Sequence, residues 1–74
     1  MSMTQSEAIE RLKAMTDEMV YAKDIAPALG AKVDALIKKA KDGTWDRGVC
    51  NCFVSGRCVK FYRIDFLKKG GWIS

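Results

Sequence analysis

Cys50, Cys52 and Cys58 stand close together in a C-x-C-x5-C spacing that invites a metal reading. A structural zinc site takes four ligands, usually Cys or His. The chain holds 3 Cys and 0 His. One chain is therefore a ligand short, and no metal or other cofactor is expected. The lack of His also removes the commonest general base and the pH switch near neutrality. Buried cysteine behaves as a small hydrophobe, which is the role expected of Cys50 and Cys52. Cys58 is expected on the opposite face of a hairpin, exposed and open to oxidation.

Two pairs of carboxylates come next, Asp17-Glu18 and Asp42 with Asp46. Nothing in the sequence sets either pair in a pocket, and both read as solvated charge. No Gly-rich phosphate loop, G-x-S-x-G elbow or Cys/His dyad occurs. A catalytic role is not expected.

The lysines carry the stronger signal. Residues 32–74 hold ten Lys/Arg against four Asp, a net +6, whereas residues 1–31 hold three Lys/Arg against five Asp/Glu, a net −2. A basic half beside a mildly acidic one suggests one face aimed at a polyanion. Lys32, Lys38, Lys39 and Lys41 cluster first, and Arg57 and Lys60 follow. Lysine lacks the rigid fork with which arginine reads guanine, so phosphate contact with modest base readout is expected. The plainer reading of the same residues is a solvated helix face.

The elements that must position these residues form one small domain. At 74 residues, with 49% hydrophobic and 30% charged content, the chain has a globular composition. A domain of this size buries only about 60% of its unfolded surface. A deep catalytic cleft or a separate sensing domain is therefore not expected. No apolar run is long enough to span a bilayer. Residues 1–5 lack the pattern of a secretory signal, and the cysteine usage is not a disulfide framework. A cytoplasmic location without membrane contact is expected.

Thr4 followed by Glu7 forms a capping box. Ile9, Leu12, Met15 and Met19 then make an apolar stripe, so a helix is expected over 4–19. The stripe covers the core or serves as a dimer contact. Val20-Tyr21-Ala22 is a short β-prone stretch. A second helix is expected from Lys23 or Asp24 to Leu29, with Pro27 in its first turn, Ile25 and Leu29 inward and Gly30 as C-cap. A third helix is expected over 33–41, ended by Gly43, with Val33, Leu36, Ile37 and Ala40 buried. Lys32, Asp34, Lys38, Lys39 and Lys41 then occupy its remaining face. Two helices joined through Gly30-Ala31-Lys32 give a helix-turn-helix pattern over 20–43.

A hairpin is expected over 49–62, turning at Ser55-Gly56. Val54 pairs with Arg57 or with Val59. In either register Cys50, Cys52, Val54, Val59 and Phe61 share the core face, and Asn51, Phe53, Cys58 and Lys60 the other. A last helical turn is expected over 63–69, with Phe66 and Leu67 docking inward. Tyr21, Trp45, Tyr62 and Trp72 are expected in core or edge packing.

At Tyr21-Ala22-Lys23-Asp24-Ile25-Ala26-Pro27-Ala28-Leu29-Gly30 the chain resembles small helix-turn-helix proteins of prophages and mobile elements. The likeness continues through Val54-Ser55-Gly56-Arg57-Cys58-Val59-Lys60-Phe61-Tyr62-Arg63 and Phe66-Leu67, and covers about residues 20–68. The wider group looks like the excisionase and MerR-type winged helices. The resemblance implies an α+β winged helix-turn-helix with an extra N-terminal helix and a C-terminal hairpin wing. It implies duplex DNA as partner, with an excisionase-like or transcriptional role and no catalysis. Helix 33–41 would enter the major groove, with Lys32, Asp34, Ala35, Lys38, Lys39 and Lys41 as its exposed candidates, and a wing over 52–60 would touch the flanking backbone with Arg57 near its tip. An integrase or another protein, a homodimer or a cooperative assembly on DNA, would complete the partners. The rival expectation is a phage-type protein-binding module or inhibitor on the same scaffold.

Overall fold

The Thr4 hydroxyl accepts from the Glu7 N–H at 3.2 Å, and the Glu7 carboxylate accepts from the Thr4 N–H at 3.1 Å. That capping box starts the first helix of the computed structural model, which describes residues 3–74. The Thr4 backbone N–H, then its hydroxyl, hold the Glu7 carboxyl below its ordinary range. The N-terminal reading therefore lies partly outside the described residues, at Met1 and Ser2.

The elements run α1 (Gln5–Ala14), β1 (Met19–Tyr21), α2 (Ala22–Leu29), α3 (Val33–Asp42), β2 (Cys52–Ser55), β3 (Cys58–Tyr62) and α4 (Arg63–Lys69). The described residues form a small α+β fold of four helices and one three-stranded antiparallel sheet, ordered β1-β3-β2.

Helix α1 stops five residues short of the expected Met19. Met15 turns extended at ψ 152°, and Met19 pairs with Tyr62 in the sheet. Ile9 and Leu12 are buried, and α1 packs on α2 and α4. Of the stripe, Ile9 and Leu12 are core, and Met15 and Met19 are half-buried.

Helix α2 begins one residue earlier than expected, because the Asp24 carboxylate accepts from the Tyr21 N–H at 3.0 Å. Pro27 consequently falls in the second turn, where its missing N–H removes one intrahelical bond. Gly30 closes α2 at φ 65°, a left-handed geometry that suits glycine. Gly43 does the same for α3 at φ 77°.

The hairpin takes the second of the two registers. Val54 pairs with Val59 and Ser55 with Cys58, so the turn is Gly56-Arg57 rather than Ser55-Gly56. Gly56 supplies the positive φ, 50°, that a two-residue hairpin turn needs. Strand β2 starts at Cys52, and Cys50 lies in the preceding loop, fully buried. Val54 is on the core-side face yet 42% exposed.

Trp45 locks that loop. Its Nε1–H donates to the Cys50 carbonyl at 2.7 Å, and its ring tilts on Phe61 at 4.8 Å. Phe66 and Leu67 of α4 are buried, and Trp72 packs on Phe66 at 5.2 Å. No helix is long and apolar enough to cross a membrane among the described residues.

Candidate nucleic-acid interface

The amphipathic pattern of α3 turns Leu36 and Ala40 into the core and leaves Lys32, Asp34, Ala35, Lys38, Lys39 and Lys41 exposed. Lys32 is the N-cap residue, and Lys39 and Lys41 lie in the last turn. Cations in the last turn complement the helix dipole, so they can be held there without carboxylate partners. None of these lysines, nor Arg57 or Lys60, makes an ion pair among the described residues.

The Gly56-Arg57 turn brings the hairpin tip beside α3. Together with the start of α2 they enclose an open groove of about 440 Å³. Val33, Ile37 and Val59 contribute its apolar lining, and Lys23, Lys41 and Arg57 its cations. No lining residue is acidic. Lys41 and Arg57, 16 positions apart in sequence, thus share one wall-to-wall site. Val33 and Ile37 are only half-buried, because the groove keeps part of their surface open.

Lys60 departs from the sequence expectation. It does not line this groove. It borders a separate depression with Asp17, Glu18, Met19 and Tyr21, and Tyr21 belongs to both. The reason is the register, which sets Lys60 opposite Tyr21 on the sheet. Tyr21 itself is not core or edge packing but 50% exposed.

The chain matches no protein-family model, no curated protein and no solved structure.

Sequence reasoning missed Lys23 and Tyr21 at the groove. Their signal was the onset of α2: residues at a helix start beside a strand end project past the sheet. The cysteines are all free, Cys50 buried, Cys52 half-buried and Cys58 exposed. Burial, followed by the nearby Asp65 carboxylate, pushes the Cys50 thiol from 9.0 up to about 12. A protonated, enclosed thiol is a poor nucleophile and a poor metal ligand. Among the described residues no His, Cys, Asp and Glu side chains cluster as a metal site.

Proposed function

We propose that this chain binds duplex DNA as a winged helix-turn-helix, in an excisionase-like or transcriptional-regulatory role that involves no catalysis. The observation that carries the reading is Lys41 of α3 sharing a groove with Lys23 and with Arg57 at the hairpin tip, none of them ion-paired among the described residues, while Lys38 and Lys39 stand exposed on the same helix. A helix flanked by a basic hairpin can enter a major groove while the tip reaches the neighbouring backbone. Lys23, Lys41 and Arg57 would take phosphates. Lys38 and Lys39 would add further phosphate contacts, Ala35 would face base edges, and Lys32 and Asp34 would stand at the helix start. Lysine-dominated contacts favour affinity over sequence discrimination.

A double Lys38→Ala, Lys39→Ala variant tests this reading by duplex-binding anisotropy. Affinity falls at least tenfold at low salt if α3 meets DNA. Unchanged affinity overturns the assigned face.

The apolar lining of the groove favours one second reading, a protein-binding module whose partner sets an acidic amphipathic segment against Val33, Ile37 and Val59. Such a module would bind no random duplex at low salt.

A further inference from the structure

The sheet's outer face exposes Tyr21, Phe53 and Cys58 to solvent among the described residues. Register aligns Tyr21 of β1, Lys60 of β3 and Phe53 of β2 in one row across all three strands. Neighbouring strands lie about 4.8 Å apart, so the two ring-bearing residues stand about 10 Å apart with Lys60 between them. Tyr21 is 50% and Phe53 46% exposed. The Lys60 ammonium lies 5.8 Å from the centre of the Tyr21 ring, and the Lys23 ammonium 6.0 Å. Neither lysine is ion-paired among the described residues.

Solvent-facing strand positions ordinarily carry polar side chains. Two large rings flanking an unpaired cation need another explanation. We propose that this face is a stacking platform for single-stranded nucleic acid. One base stacks on Tyr21, another on Phe53, and the phosphate between them meets Lys60. The aromatic–cation–aromatic order follows the base–phosphate–base order of a strand. Stacking of this kind tolerates any sequence, because every base has a π-face.

Charge favours this occupant: Lys23 and Lys60 hold unpaired ammonium groups over the Tyr21 ring, which suits a polyanionic strand. Asp17 and Glu18 border the depression beside Tyr21 and Lys60 and end the platform there. The site therefore takes about two bases. It meets the duplex groove at Tyr21 but extends away from it through Lys60 and Phe53, neither of which lines that groove.

The test is anisotropy of a labelled short oligothymidylate titrated with the full chain and with Phe53→Ala and Phe53→Trp, all checked for native circular dichroism. The wild type binds. Phe53→Ala weakens binding about five- to a hundredfold, the range for one lost base stack, and Phe53→Trp retains it. Random duplex binding is the same in all three proteins. Polyglutamate at equal charge fails to displace the oligonucleotide. The proposal is overturned if the oligonucleotide does not bind, if Phe53→Ala binds it as the wild type does, or if polyglutamate displaces it, which would mark a site for acidic protein. A failure of the duplex reading shows separately, in the duplex titration.

Discussion

The Arg63 guanidinium donates through Nη1 to the Leu12 carbonyl at 2.8 Å, across 51 positions of sequence. Its Nε–H donates to the Asp17 carbonyl at 2.6 Å, and its backbone N–H to the Glu18 carbonyl at 3.1 Å. Arg63 is 8% exposed and has no carboxylate partner among the described residues. Leu12 lies in the last turn of α1, where carbonyls lack intrahelical donors and the dipole favours a cation. One side chain at the start of α4 thus ties down the end of α1 and the run into β1.

Removing that tie should be costly. Hydrogen bonds from charged donors contribute about 1.5–3 kcal/mol each. Arg63→Met is expected to lose about 2–4 kcal/mol in urea denaturation, and Arg63→Lys to recover only part. A loss below about 0.5 kcal/mol would show that the carbonyls find other donors.

Gly70 is constrained by its neighbour. A Cβ there would lie 1.8 Å from the Trp72 ring. Gly70→Ala is expected to expel Trp72 from Phe66 and cost about 1–3 kcal/mol, as overpacking does. Red-shifted tryptophan emission together with a lower melting temperature would register it. Wild-type emission would mean that the ring shifts without leaving.

The cysteines should separate by reactivity. Cys58 is expected to react with a thiol reagent in the native protein, and Cys50 only after unfolding. Unfolding frees the Cys50 thiol to ionise near 9.0, whereas folding holds it up to about 12. Cys50 therefore favours the folded state fully below pH 9.0, and its contribution falls as pH rises from 9.0 toward about 12. Urea titrations across that window check the sign. A Cys50→Ala variant should show a shallower alkaline fall.

Single substitutions should sort the basic residues. Lys41→Ala and Arg57→Ala are each expected to lower duplex affinity for every sequence alike and to reduce the salt slope by about one. Lys60→Ala should leave that slope unchanged, because Lys60 lies outside the groove. An equal slope change at all three positions would mean that the duplex covers Tyr21 and the outer sheet as well.

Local signals made most elements legible. Thr4 with Glu7, Gly30 and Gly43 marked helix ends through backbone chemistry that acts within a few residues. The alternation from Cys52 to Phe61 fixed which residues share a face. What was not legible depends on distant partners. Met19 could continue a helix or pair with Tyr62, and only the sheet decides. Arg63 reads as surface charge until the carbonyls of Leu12 and Asp17 are brought to it. For the candidate site, the exposed α3 lysines followed from periodicity. The exclusion of Lys60 follows from the β1–β3 register, and the inclusion of Lys23 from the start of α2 directly after β1.

The most direct test of the central claim is the affinity for random duplex DNA as salt is raised. Neutralising four to six phosphates gives a log–log slope of about −4 to −5, and so a loss of about 10²–10³ between about 50 and 200 mM salt. A slope in that range, halved in the Lys38→Ala, Lys39→Ala variant, is the result this account predicts. No binding at the low-salt end, or a slope that the double variant leaves intact, would contradict it.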